Sequence, residues 1–521
     1  MTDPKSAELG VLPPKGHNWL LLLLIILVAA FFRFHMLGAR SLWPAECFSI
    51  LVARQPWSQF LRTMWWGEGN MGFYYVLLRG WLRFGDSEVW LQSFSALVGV
   101  LAIPAIYALG SRFLSRKVGL VAAALLAIHS FHIDRSEVLR SYSLLTVLVI
   151  LSTYAFLALL DSPRRKDLWA LYVIFSALAL YAQTFAIFIL AGQYVALLPG
   201  RLKRLGIIKL LAAAVAVGVL TAPLLAMTVL QNKGQLDWVP RLTPTSILNV
   251  FRGIVGADTL ALQSPVASSF LMVLYGVAWI FAIWGLFRTG PSRVEEPGTS
   301  AAVSVLAWTL AFPIVAMTAI SLVKPILYPR FLLMCVPAAV LLASQGIATI
   351  EKYVPRGRLV SSAFLLLTLI LGVASTHKFD TALPNSGLDY RATTNYILSH
   401  RRAGDAIIFY NFGGDWAWDY YAERARKAGD TGPIPPTLFP LSFDRASILA
   451  RTTPYRRVWL VLQQDIPNPQ SDANTALLVR TTQEHFRIVE EKDFLGESMY
   501  PGESVTIHVA LYAVPAPSDT P

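Results

Sequence analysis

Leu139-Arg-Ser-Tyr-Ser-Leu-Leu-Thr-Val-Leu-Val-Ile-Leu-Ser-Thr-Tyr-Ala-Phe-Leu-Ala-Leu-Leu160 carries one charge, near its start, and Arg164, Arg165 and Lys166 follow it closely. A helix needs about 20 apolar residues to cross roughly 30 Å of hydrocarbon. Short cytoplasmic loops collect Lys and Arg. The run therefore reads as a membrane span whose C-terminal end lies in the cytoplasm. Working outward, ten more runs read as spans: 18–37, 88–111, 117–131, 168–183, 185–199, 206–229, 267–288, 301–323, 331–349 and 359–376, with this one at 139–160. The loops at 112–117, 164–166, 201–204, 288–293 and 352–358 hold the clustered basic residues. With the N-terminus inside, all of these loops fall inside. The fold class expected is a polytopic α-helical membrane protein of about eleven spans with a soluble α/β domain at its C-terminus.

Composition agrees. The chain is 55% hydrophobic and 15% charged, against about 25% charged for a soluble domain, and its mean hydropathy is +0.52. Fifteen Trp suit interfacial anchoring. The net charge of +12 sits largely in the loops that orient the chain, which argues against nucleic acid as a partner. Cys47 and Cys335 read as unpaired. The apolar run Trp19–Ala30 continues through Phe31-Phe32-Arg33-Phe34 without a cleavage site, so it reads as an uncleaved first span. Counting Met71–Phe84 as a span would invert every later loop and break the charge rule. It reads instead as an amphipathic helix on the outer surface.

This topology puts residues 38–87, 132–138, 230–266 and 324–330 outside, within a membrane domain of residues 1–376. A soluble extracytoplasmic domain, 377–521, follows. In that domain Tyr390–Arg401 and Trp416–Lys427 read as helices. Ala406–Tyr410, Val458–Leu462 and Val505–Val514 read as strands by alternation and β-branching. Trp416, Trp418, Tyr420 and Tyr421 could contact carbohydrate, but aromatics at helical spacing are more often packing.

Charged residues cluster on the outer segments, where membrane depth makes them costly and hence functional candidates. Glu46 and Ser49 follow the first span, then Glu68. Asp134, Arg135, Glu137, Arg140 and Tyr142 form the second group. Lys324 and Arg330 form the third.

In order and spacing these segments resemble the C-type-fold membrane glycosyltransferases, in particular the family of protein O-mannosyltransferases and lipid A aminoarabinose transferases. The residues carrying the likeness are Ser41-Leu-Trp-Pro-Ala-Glu-Cys-Phe-Ser49, Asn70-Met-Gly-Phe-Tyr-Tyr75, Phe84-Gly-Asp-Ser-Glu88, His129-Ser-Phe-His-Ile-Asp-Arg-Ser-Glu-Val-Leu-Arg-Ser-Tyr142, and Pro325 with Arg330-Phe331. The likeness covers about residues 18–350. It implies a polyprenyl-phosphate sugar as donor, an acceptor of unknown class, and the outer face of a bacterial inner membrane as the place of reaction. It also implies inversion at the anomeric carbon. A carboxylate acts as general base, with Glu46 and Asp134 the candidates. Cations hold the leaving lipid phosphate, with Arg135, Arg140, Lys324 and Arg330 the candidates. Glu68, Glu137 and Tyr142 complete the expected substrate-binding set. Glu68 lies near a glutamate that some relatives use for metal. It lacks a His partner, so no metal or other cofactor is expected, a divalent ion being the one exception to test. The chain departs from the family at Ala45, where the usual base is Asp, and at Val138, where the family's second outer motif has Glu. The alternative reading is a degenerate member that binds the lipid phosphate or an envelope partner without catalysis.

Overall fold

Helices occupy every stretch expected to span the bilayer. They are Asn18–Phe34, Glu88–Phe113, Arg116–Ala127 with Ser130–Ser136, Tyr142–Asp161, Lys166–Ala182, Ile187–Val195, Ile207–Leu220 with Ala222–Leu230, Pro265–Arg288, Pro297–Ser321, Val336–Tyr353 and Gly357–Ala382. The computed structural model describes residues 18–197, 205–231, 234, 236–288, 297–382, 388–410, 413–438, 444–464, 469–497 and 504–515. Among these, six helices are long and apolar enough to cross a membrane, or up to eight if each of two bent pairs is one span. Asn18–Phe34 and Lys166–Ala182 have 17 residues each and Ile187–Val195 has 9. Length and composition thus support fewer crossings than the eleven read from the sequence. The whole 201–204 loop, and the 288–293 loop after residue 288, lie outside the described residues.

The two bends have local causes. The first pair bends by 62° at His129, whose side chain leaves the helix to accept the His132 amide at 3.3 Å and so caps the next one. The second bends by 55° just before Pro223, in the first turn of the Ala222–Leu230 helix. Proline there has no amide to continue the preceding ladder.

The chain divides into two compact units, Met1–Leu37 with Gln55–Asp380, and Gly38–Arg54 with Thr381–Pro521. In the first unit, the loops expected to share the cytoplasmic face meet one another. Arg112 pairs with Asp161 at 3.5 Å, Lys117 pairs with Glu351, and Lys209 donates to the Pro163 carbonyl at 3.0 Å. Close helix approach depends on glycine at several places, Gly110 and Gly99 among them. A Cβ on Gly110 would lie 2.8 Å from the Gly119 Cα, and one on Gly99 would lie 2.4 Å from the Ser136 Oγ. Gly99→Val is expected to lower the melting temperature in detergent, at a cost of about 1–3 kcal/mol from overpacking. An unchanged melt would show that Ser136 moves aside freely.

The expected surface helix at 71–84 is present as Gly72–Trp81. Its entry is strained: Met71 holds a φ of 70°, a left-handed conformation uncommon outside glycine. Gln231 fixes the preceding turn. Its Oε1 accepts the Gly69 amide at 2.9 Å, while its Nε2 donates to the Met64 and Trp65 carbonyls at 2.6 and 2.8 Å.

The second unit contains a four-stranded sheet of order β1-β2-β4-β3, with β1 Asp405–Tyr410, β2 Arg457–Gln464, β3 Arg487–Glu497 and β4 Ser504–Ala513. β1 and β2 run parallel, with Ala406 opposite Val458, and the other pairs are antiparallel. Ile408, Val458, Leu460, Leu478, Phe486 and Tyr512 fill one core. The sequence reading anticipated β1, β2 and β4 but not β3, nor the helices Arg445–Thr452 and Pro469–Gln483. It also placed 38–54 with the membrane part, whereas these residues pack in this unit. The Tyr421 hydroxyl accepts the Leu42 amide at 2.8 Å, and Arg391 donates to the carbonyls of Gly38 and Arg40 at 3.0 and 2.8 Å. Phe48 lies against Trp416, with ring centroids 4.5 Å apart. Trp418, Tyr420 and Tyr421 are buried, as packing residues should be.

Candidate active site

Ser130–Ser136 is a short buried helix, and a tight irregular turn carries the chain from it into the long Tyr142–Asp161 helix. Seven residues give less than two helical turns, so the helix depends on its surroundings to hold it. Those surroundings come from several segments at one end of the first unit. His129 donates through Nε2 to the Ile254 carbonyl at 3.1 Å, and Gly256, with a φ of 71°, turns beneath its ring. The Ser130 hydroxyl lies 2.9 Å from the Gly256 carbonyl and 3.1 Å from Asp258 Oδ1, either of which accepts its proton. Ser375 donates to Ser130 Oγ at 3.0 Å, and Thr259 stands 2.8 Å from Ser375 Oγ. His129 and Ser130, which the sequence reading put at the end of the span 117–131 just before the outer segment 132–138, are thus bonded to the segment 230–266.

Asp134 is fully buried and pairs with Arg135 Nη2 at 2.5 Å. Neither Asp134 oxygen has a further hydrogen-bond donor among the described residues. Arg135 lies over Phe131 and Tyr142, its guanidinium carbon 5.8 and 6.0 Å from their ring centroids. Arg140 reaches Tyr75 at 3.4 Å and lies in the field of Tyr142, Glu68 and Tyr74. The turn after Met64 places Glu68 there. Burial pushes the Glu68 carboxyl above its ordinary range, and the Arg140 charge partly offsets this.

The remaining expected residues are less alike. Glu137 is buried and close enough to Arg33 to act on it electrostatically. Tyr142 is buried at the start of its helix. Arg330 stacks on Trp238 at 4.3 Å and on Tyr328 at 5.1 Å, an aromatic setting that still leaves it half-exposed. Lys324 is exposed. Glu46 belongs to the second unit. It is fully buried, and its Oε2 accepts the Trp43 amide at 2.9 Å, so this carboxylate closes the start of its own helix. Among the described residues no three His, Cys, Asp or Glu side chains stand together as a metal-ligand group.

Two residues that sequence reasoning passed over belong to this end of the first unit. Arg33 is wholly buried. It donates to the carbonyls of Ala29, Leu126 and Ala127 at 3.0 Å each and to His132 Nδ1 at 2.8 Å, closing the C-terminal end of the Arg116–Ala127 helix. Asp258 lies in the turn after the Pro244–Val255 helix. Burial, and then the nearby Asp134 charge, push its carboxyl up to about 6, against smaller opposing effects from the Thr259 amide, Ser130 and Arg135. One signal was available for each. Arg33 is a lone charge in an apolar run, and Asp258 is the lone acid between Val250 and Ser264.

Comparison with known proteins bears on this arrangement. Residues 71–226 match the family described as dolichyl-phosphate-mannose-protein mannosyltransferase. ArnT from Cupriavidus metallidurans superposes on 94% of this chain and 98% of its own in the apo state, at 13% identity and a TM-score of 0.56. The same protein bound to undecaprenyl phosphate gives 0.56 at 12% identity, over 97% and 100% of the two chains. The archaeal oligosaccharyltransferase AglB from Archaeoglobus fulgidus, in complex with an inhibitory peptide and a dolichol-phosphate, gives 0.53 at 11% identity, over 97% and 75%. No curated protein sequence matches the chain. At these identities the superpositions show the fold, and the resemblance read from the sequence leads to the same C-type glycosyltransferase fold.

Proposed function

We propose that this chain, which has the C-type glycosyltransferase fold, is a membrane glycosyltransferase that moves a sugar from a polyprenyl-phosphate donor to an acceptor hydroxyl, with inversion. It works on the outer face of the cytoplasmic membrane, with its C-terminal domain extracytoplasmic. A fold hosts many chemistries, so the reading rests on one observation: the buried Asp134–Arg135 pair with Arg140 on the same short segment. Buried charges of both signs are costly away from water and persist where they are used.

Asp134 is assigned as the base in preference to Glu46, whose Oε2 is already held by a backbone amide. As the acceptor oxygen bonds to the anomeric carbon, its proton passes to Asp134. The bond from that carbon to the phosphate oxygen breaks on the opposite face, and its electron pair leaves on the lipid phosphate. Arg140, with Arg330 and Lys324 as further cations, stabilises that developing charge.

The test is release of free polyprenyl phosphate from labelled polyprenyl-phosphate sugars by the purified chain. Glu46→Gln is expected to keep turnover within about tenfold, because its role is to cap a helix, worth about 1 kcal/mol. Collapse of turnover in Glu46→Gln beside survival in Asp134→Asn would move the base to Glu46. A second reading draws support from Ala45, which cannot take a proton where the family's base stands. Lipid-phosphate binding without turnover of any donor would favour that non-catalytic binder.

A further inference from the structure

Asp258 stands where Ser130, Thr259 and Ser375 hydrogen-bond three segments together, with its Oδ1 3.1 Å from the Ser130 hydroxyl. Asp134 and Arg135 both act on it electrostatically, and its donor Ser130 lies one helical turn before Asp134. Asp134 takes the direct ion pair with that arginine at 2.5 Å, and Asp258 accepts from the neutral Ser130 hydroxyl. The groups facing it are Asp134 and Arg135 from the Ser130–Ser136 helix, neutral Ser130 from the same helix, and His129, whose ring packs against Gly256 two residues before it.

We propose that Asp258 is a positioning residue that acts through Asp134: the two carboxylates share the field of Arg135, and the charge on Asp258 sets whether the pair can receive the acceptor's proton. The inference rests on the glycosyl-transfer reading of the site. Two carboxylates close together in a buried site resist ionising together. With Asp258 protonated, Arg135 faces one negative charge, and the pair has little tendency to take another proton. With Asp258 ionised, Arg135 no longer balances the pair, and uptake of one proton from the acceptor restores the balance. The reaction therefore runs in the form with Asp258 ionised, and its rate rises with pH through the value of about 6 at which this carboxyl titrates. No proton is created or lost: the one taken from the acceptor leaves to solvent after the glycosylated product departs.

Asp258→Asn and Asp258→Glu in the full-length protein test this. The native chain is expected to show an acid limb near pH 6 in kcat. Asp258→Asn is expected to lose that limb and about 10- to 100-fold in kcat, with the donor KM within about threefold. Asp258→Glu restores the limb and part of the rate. A folding defect is separable by sign. Because the Asp258 carboxyl is raised in the folded state, its stabilising contribution is fully present below its ordinary value and is lost as pH rises through about 6. Asparagine removes that loss, so the variant should melt no lower than the native protein at about pH 8. Retention of both rate and limb in Asp258→Asn would overturn the proposal. If the native chain turns over no donor, the transfer reading fails, and infrared difference spectra between about pH 5 and about pH 8 decide the coupling. A carboxyl band absent in Asp258→Asn and displaced in Asp134→Asn supports it, and a band indifferent to Asp134→Asn overturns it.

Discussion

Asp134→Asn is expected to lower kcat for release of polyprenyl phosphate by about 10²- to 10⁴-fold, the usual contribution of a positioned acid or base, with little change in donor KM. Asparagine has nearly the shape of aspartate and no capacity to hold the proton, so the loss falls on the chemical step. The substitution has a second consequence, because Arg135, paired with Asp134 at 2.5 Å, loses that partner. Removing one member of a buried pair costs about 3–5 kcal/mol of stability. Stability and activity must therefore be separated, and Asp134→Asn/Arg135→Gln does so. With both charges gone the double variant should regain most of the lost stability, since replacing a whole buried pair is often neutral, while turnover stays low. Turnover within threefold of the native chain in Asp134→Asn would remove Asp134 from the mechanism, whatever the melts show.

Much of this arrangement was legible in the sequence, for a physical reason. Apolar runs are constrained by bilayer thickness and basic loops by the charge rule, and both constraints act along the chain. Arg112, Lys117 and Arg165 could be assigned to one end before any contact was known, and ion pairs of Arg112 with Asp161 and of Lys117 with Glu351 join that end. What stayed hidden depends on the third dimension. Glu46 lies in a motif that reads as catalytic, and only the structure shows that its Oε2 accepts the Trp43 amide in a segment grouped with the C-terminal unit. Asp258 carries no motif, and only folding brings it to Ser130 and into the field of Asp134. β3 was missed because it is an edge strand in which Glu490, Glu491, Lys492 and Asp493 break the apolar alternation, with a bulge between Ile488 and Glu490. Charges and bulges on an edge protect it from pairing with other chains, so the features that suit the position erase the pattern by which a strand is read.

Arg140→Gln is the other substitution expected to act strongly, and its effect should fall on the leaving group. Arg140 is the cation assigned here to the leaving phosphate, with Tyr75 at 3.4 Å and Glu68 in its field. A donor aimed at charge that develops only in the transition state is worth about 10²–10³ in kcat. That loss is expected here, and it should shrink when the donor carries a better leaving group than a phosphate monoester. Arg140→Lys should recover a minority of the rate, because a point charge cannot reproduce the planar two-nitrogen contact that guanidinium offers phosphate. Glu68 supplies an internal check. Arg140 partly offsets the rise that burial imposes on the Glu68 carboxyl, so removing the arginine should raise that carboxyl further and leave Glu68 neutral over a wider range of pH. Glu68→Gln alone should then cost less than about tenfold, and in Arg140→Gln it should cost almost nothing, because the charge it would remove is already suppressed. Additive losses in the double variant would mean that Glu68 contacts substrate in its own right, and the pairing of the two residues would have no part in catalysis.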